Sequence, residues 1–434
     1  MARAIAACTA VLLCCITMHG SGQQDPIQKE AAEVRELTHA RAALHLEERT
    51  RWEEHYGNSF GKAKNQQDML SRLRISMDYS PTGWLLISAM GQDARAPWYG
   101  QNAPGSLRDS IDLNEAFIEI RKKNRSMSAS IGRRMLNYGE TRVIGVPQWS
   151  NTSRTYDFGR VQFTTRHFAL ETLMASPVIV RPDMFNNPEL GNRYWGTYDV
   201  LPKIWHGTSI DIYALRHSQN KVGGWTSNGT LGTNNFGTRF YGPLPAKLSY
   251  SLEGIGQTGH VGSLNQRAYA WFAGLNRTFP VNALLIDTSV EFKEASGSHA
   301  GSTHSSTFDQ LSPANHDKFG HQDLFGWKNL RTFKTLETIH PTKASTFNVM
   351  YTNHSLFSAS DSLYASSGSK IATSAHGTAG RAVGQELDGF ATYSWGAHTF
   401  FAGVGYFFRG QFVVNTTSGI NPRYFYIAQQ YNIK

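Results

Sequence analysis

From about Glu47 onward, apolar and polar residues alternate with a period of two, the spacing at which neighbouring side chains of a β-strand face opposite sides. In "LLIDTSVEFK", Leu284, Ile286, Val290 and Phe292 take one face, and Asp287, Ser289, Glu291 and Lys293 take the other. "MLSRLRISMDY" sets Met69, Leu73, Ile75, Met77 and Tyr79 against Arg72, Arg74, Ser76 and Asp78. "TFNVMYTNH" and "HTFFAGVGYFFRG" repeat the pattern. Such segments run to roughly 9–13 residues, longer than the ~5–6 of soluble strands and matched to the ~9–11 that cross a bilayer at a tilt. Turn signals in "YSPTGW", "RTFPVNA" and "TIHPTKA" separate them, so the chain reads as consecutive hairpins. At roughly 22 residues per strand and connection, the pattern predicts an all-β fold, a transmembrane antiparallel β-barrel of about 16–18 strands.

A soluble β-sandwich also alternates. The membrane reading is favoured by dense charge on the polar face and by aromatic pairs at strand ends, which resemble interfacial girdles: Tyr79 and Trp84, Trp98 and Tyr99, Tyr194 and Trp195, Tyr424 and Tyr426. Before the barrel, Ile27, Ala31, Val34 and Leu37 fall at helical spacing. The predicted organisation is a signal peptide over 1–22, a periplasmic helical segment over 23–46 and a barrel over 47–434.

Composition sharpens this picture. All three cysteines, Cys8, Cys14 and Cys15, lie in the apolar stretch that follows Arg3, a secretory pattern. Cleavage near Gly22 leaves a chain that has neither disulfides nor thiolate metal sites. With 42 Lys and Arg against 33 Asp and Glu, the formal charge is +9. A basic exported chain suits anionic polysaccharide, nucleic acid or lipid headgroups; outer-membrane lipid and an anionic saccharide are the expected partners, and nucleic acid is not.

Catalytic signals are weak. "GIGQTG" matches G-x-G-x-x-G through Gly254, Gly256 and Gly259, but it lies in an alternating strand with no helix to meet a pyrophosphate. Its glycines are expected to relieve crowding in a lumen or at a bend. His299, His304, His316 and His321 lie near Asp309, Asp317 and Asp323 without compact ligand spacing, and read as solvated rim residues. No enzyme, cofactor or metal is expected. The charge pattern says more. Arg72, Arg74, Arg160 and Arg166 fall opposite lipid-suited residues, as do Lys293 and, in "LNEAFIEIR", Glu115, Glu119 and Arg121. On the lipid face each Arg would cost ~2–4 kcal/mol at the midplane, so these residues belong in the lumen. Rings of Arg and Lys bias a pore toward anions.

"FDQLSPANHDKFGHQDLFGWKNL" (308–330), "IGRRMLNYGETRVIGVPQWSNTSRTYDFGRVQF" (131–163), and "GQELDGFATY" followed by "YFFRG" resemble stretches of alginate-export-type outer-membrane porins. Arg409 stands where that family has Pro, Tyr156 replaces Phe, and "QQYNIK" ends the chain in place of an aromatic. The resemblance implies one wide barrel of about eighteen strands, conducting an anionic polysaccharide or oligosaccharide by diffusion. It leaves room for a periplasmic export partner. The pore positions it implies are Arg133, Arg142, Arg154, Asp157 and Arg160. Alternation adds Arg72, Arg74, Arg134 and Arg166; the inward choice between Arg133 and Arg134 stays open past Gly132. The rivals are a general or nutrient-uptake porin and a surface-binding barrel without transport. The 308–330 loop is polar because it meets water at a barrel mouth, and its rings are expected to anchor it on the rim or inside the lumen.

Overall fold

The computed structural model describes residues 42–433, apart from 100–101, 223–228, 283 and 375. Eighteen antiparallel strands form one closed barrel. They are β1 (Ala42–Tyr56), β2 (Gln66–Thr82), β3 (Leu85–Arg95), β4 (Asp109–Arg121), β5 (Met127–Arg134), β6 (Tyr156–Thr164), β7 (Ala169–Ile179), β8 (Asn192–Trp205) and β9 (Thr208–Val222). The second half comprises β10 (Gly229–Leu244), β11 (Leu248–Val261), β12 (Leu264–Val281), β13 (Leu284–Ala295), β14 (Leu330–Thr342), β15 (Ser345–Leu356), β16 (Ala382–Trp395), β17 (His398–Arg409) and β18 (Arg423–Ile433). Each strand pairs with its sequence neighbour, and β1 pairs with β18 from Leu46↔Ile433 to Tyr56↔Arg423. Closure leaves no free edge, so every strand finds its backbone partners without water.

The period-two pattern explains the wall. On β2, Leu73, Ile75, Met77 and Tyr79 point out and are exposed, while Asp68, Arg72 and Arg74 point in and are buried. The same division holds on β13, β15 and β17. Connections at one end, such as 83–84 and 396–397, are two to five residues long. At the other end lie the long ones, including 96–108, 135–155, 180–191, 296–329 and 357–381. In outer-membrane barrels the short turns face the periplasm.

Several expectations change. Residues 42–46, expected to be helical, begin β1, and the rest of the signal and helical segments lies outside the described residues. The only α-helix among the described residues is α1 (Gln411–Thr416), in the β17–β18 connection. Gly254 and Gly256 face outward, because Glu253, Ile255 and Gln257 take the inner face. Of the aromatic pairs, Tyr194, Tyr424 and Tyr426 are buried inside the barrel; the outward rings include Tyr79, Trp84, Trp98 and Trp195. The apolar core also sits inside, at the long-loop end. There Phe308, Phe319, Phe325 and Trp327 pack with Phe60, Phe407 and Phe412. Phe325 meets Phe407 edge-on at 5.5 Å between centroids, and Phe308 meets Trp327 at 5.7 Å. The anchoring rings are therefore inside the lumen, not on the rim.

Candidate pore

The inner wall is most basic where β1 meets β2. Alternation sends Arg49, Arg51 and Glu53 inward from β1, and Arg72 and Arg74 inward from β2. The register places Arg49 opposite Arg72 and Glu47 opposite Arg74. Like charges at such positions repel, so the ladder requires acceptors. Glu47 takes Arg72 Nε at 2.8 Å and Nη2 at 2.7 Å, and Glu53 takes Arg51 Nε at 2.8 Å. For Arg49, Arg51 and Arg72 the remaining acceptors are backbone carbonyls of the 135–155 loop, and for Arg74 they are neutral side chains. Arg49 donates to Gln148, Trp149 and Ser150 at 2.9, 3.1 and 3.0 Å. Arg72 donates to Ser150 at 2.9 Å and Arg51 to Trp149 at 2.5 Å. Arg74 reaches Gln92 at 2.8 Å and the Ser153 hydroxyl at 2.7 Å. Carbonyls satisfy donors without cancelling charge, so the ladder remains cationic although covered.

The 135–155 loop is in turn stitched to the 296–329 loop. Gly145 N donates to Ser312 O at 2.9 Å, Ser312 N to Val143 O at 2.9 Å and Ala314 N to Thr141 O at 2.9 Å. Arg154 Nη1 caps the carbonyls of Gly145, Ser312 and Pro313 at 3.2, 2.8 and 3.1 Å. Trp149 is the joint between the two loops and the wall. Its ring stacks on His316 at 5.0 Å, meets Tyr426 edge-on at 4.7 Å and lies 4.2 Å from the Arg51 guanidinium, while its Nε1 donates to Tyr424 Oη at 3.0 Å.

Farther around the wall, β13, β14 and β16 hold the 296–329 loop. Lys293 donates to the Lys318 carbonyl, and Lys334 donates to the Asp317 carbonyl at 2.8 Å. Glu386 and Asp388 of β16 accept the backbone N–H groups of Gln322 at 3.0 Å and His321 at 3.3 Å. His316 Nδ1 lies 2.8 Å from Asp323. Burial opposes its imidazolium, but the Asp323 carboxylate overrides this and raises its pKa. His321, packed on Phe390 at 4.1 Å, is buried rather than solvated. Burial and then the neighbouring His316 push its pKa down to about 3. No group of three or more His, Cys, Asp or Glu able to hold a metal occurs among the described residues. Several acids stay partly exposed: the side chains of Asp317, Asp323 and Glu47 are 52%, 34% and 24% exposed.

The structure separates the residues expected to line the pore. Arg72, Arg74 and Arg160 face inward and are buried, with Arg160 3.5 Å from Glu119 and 3.6 Å from Glu171. Arg134 also faces inward, its guanidinium 4.5 Å from the centroid of the inward Phe117 ring. Arg142 and Arg154 belong to the 135–155 loop. Arg142 pairs with Glu140 at 3.1 Å and Glu291 at 3.5 Å, and sits 3.6 Å above the Phe272 ring. Three positions lie elsewhere. Arg133 and Asp157 form a two-pronged pair at 2.7 and 3.1 Å on the outward face, because parity puts Ser130, Arg134, Tyr156 and Phe158 inside. Arg166 lies exposed in the 165–168 turn, beyond the last residue of β6, where alternation no longer applies. Sequence reasoning missed Arg49 and Arg51. In "HLEERTRWEEHY" the opposite face mixes Leu46, Trp52 and Tyr56 with Glu48, Thr50 and Glu54, so the apolar stripe is interrupted.

The fold has known counterparts. OccK8 (OprE) of Pseudomonas aeruginosa superposes with a TM-score of 0.61 at 11% identity, covering 90% of this chain and 98% of that one. OccD3 (OpdP) of the same organism gives 0.62 at 11% identity over 91% of each chain. OpdK with vanillate, also from P. aeruginosa, gives 0.61 at 9% identity, covering 90% of this chain and 98% of that one. No curated protein matches the chain. A family model described as alginate export matches residues 41–426, almost all of the barrel. An outer-membrane channel fold, an inner wall with a basic ladder and this match agree: the chain belongs to the alginate export family.

Proposed function

We propose that the protein passes anionic polysaccharide or oligosaccharide chains across the outer membrane by diffusion, with no catalytic step. The observation that carries this reading is the ladder of Arg49, Arg51, Arg72 and Arg74, whose nearest carboxylates are Glu47 and Glu53. A cationic wall in a confined, low-dielectric channel attracts polyanions over distances that bulk water would screen. In the arrangement described, the ladder is roofed by the 135–155 loop, so conduction of a polymer requires that loop to move. Bilayer lipid surrounds the wall; a periplasmic partner at the short-turn end belongs to the same proposal.

A second reading has one observation in its favour. The mouth is filled by Phe308, Phe319, Phe325 and Trp327, which suits small solutes better than polymers. The OpdK structure with vanillate makes a small aromatic carboxylate a useful comparison ligand. Planar-bilayer recordings decide between the readings. At ~0.01 M salt, where the Debye length is ~30 Å, reversal potentials should show anion preference. Replacing Arg49, Arg51, Arg72 and Arg74 with Gln should abolish most of it. Oligouronates should block the parent current at lower concentration than vanillate does. A neutral or cation-selective parent overturns the basic-wall reading, and stronger block by vanillate favours the small-solute channel.

A further inference from the structure

The outward face of β4 to β7 carries a groove of about 930 Å³ that the pore does not use. Its floor is set by one missing side chain. In register across three strands, Ile131 pairs with Gly159, and Gly159 pairs with Met174. Ile131 and Met174 are 70% and 60% exposed, and they stand as two walls with nothing between them. A Cβ placed on Gly159 would meet no atom within 4 Å. With strands ~4.8 Å apart, the slot is two strand spacings wide, room for one extended hydrocarbon chain. Phe185 from the 180–191 loop lines the same groove and is 76% exposed.

The next row toward the long loops is polar. Arg133, Asp157 and Ser176 lie side by side in register. Arg133 spends Nε and Nη2 on Asp157, which leaves Nη1 unpaired among the described residues, on a side chain that is 16% exposed. Polarity thus changes within one side-chain row, from an apolar slot to a fixed hydrogen-bond donor whose charge is already balanced. That order matches an acyl chain followed by its linking carbonyl.

We propose that this groove is a binding site for one acyl chain of a lipid in the leaflet on the long-loop side, with the ester or amide carbonyl of the chain accepting from Arg133 Nη1. The balanced pair selects a neutral carbonyl. The carboxylate of a free fatty acid would confront the Asp157 carboxylate and is disfavoured on electrostatic grounds. The surrounding bilayer supplies the ligand.

The test is native mass spectrometry of the full-length, delipidated barrel titrated with dipalmitoyl phosphatidylglycerol, with palmitate as a second arm. The parent should retain one tightly held lipid. Gly159→Leu fills the slot and should weaken that binding at least about tenfold, the signature of a lost pocket. Arg133→Gln should weaken it severalfold. Gly254→Leu adds the same side chain to an outward glycine on β11, which also has open space around it, and should change nothing. All variants should keep the parent's heat-modifiable mobility, which separates lost binding from lost folding. Equal lipid retention by the parent and Gly159→Leu overturns the site, as does equal weakening by Gly254→Leu. Palmitate binding as tightly as the diacyl lipid overturns the choice of ligand.

Discussion

Trp149 shows how much one side chain can organise. Its ring touches a barrel arginine, a barrel tyrosine and the histidine of a second loop, while its carbonyl accepts from Arg49 and Arg51. Truncation to Ala should remove about 1–2 kcal/mol of stacking and cation–π interaction from the loop's docked state. The loop is then expected to open more often. His316 adds a pH dependence to the same joint. Its pKa is raised, so the pairing with Asp323 is fully present below the ordinary histidine value and is lost as pH climbs through the higher folded value. The groups around it are Asp317, Asp323, Asp388, His321 and Arg51. Single-channel recordings should show a few-fold more gating noise at pH 9 than at pH 6, with His316→Gln removing the difference. A flat profile in the parent would separate His316 from loop docking. Little of this was legible in the sequence. Period two located Arg72, Arg74 and Arg160, but nothing in "QWSN" announces that its carbonyls will meet arginines on β1 and β2. The choice between Arg133 and Arg134 stayed open at Gly132, whose φ is 138°, yet the register runs unbroken through it, and simple alternation from Ser130 places Arg134 inside and Arg133 outside.

At the level of elements, strands were readable and loops were not. A strand writes its environment into every second residue, because one face meets lipid and the other does not. The inward-folded loops depend on contacts far along the chain, such as Arg49 to Ser150 or Gln322 to Glu386. Only the rings of Phe308, Phe319, Phe325 and Trp327 signalled that the 296–329 loop had an apolar place to go. Replacing residues 296–324 with a short Gly-Ser link should leave the wall intact, because strand pairing of β13 with β14 does not involve them. Conductance should rise severalfold in bilayer recordings. Unchanged conductance with normal insertion would mean that the loop obstructs nothing.

For the whole molecule, stability rests on a closed hydrogen-bonded wall rather than on cross-links. A closed barrel should resist unfolding in cold detergent, so electrophoretic mobility should differ between unheated and boiled samples. Identical migration, with the protein in the soluble fraction, would contradict the membrane barrel. The charge excess visible in the composition proved a poor guide to its location. The ladder is covered, while Asp317 and Asp323 stay partly exposed, so a count of charges could not distinguish a basic wall from a basic opening.

The pairing of β1 with β18 has a consequence for how the chain assembles. Leu46 sits beside Ile433, so the seam joins the two ends of the described chain. Contacts of such separation form late, after the entropy of closing the whole loop has been met. Until then both terminal strands are unpaired edges, able to pair with other chains. Assembly therefore places its greatest risk of misassociation just before completion, and a chain lacking residues 423–434 should never leave that stage. Such a truncation is expected to accumulate as aggregate or be degraded, because no other strand can take the place of β18.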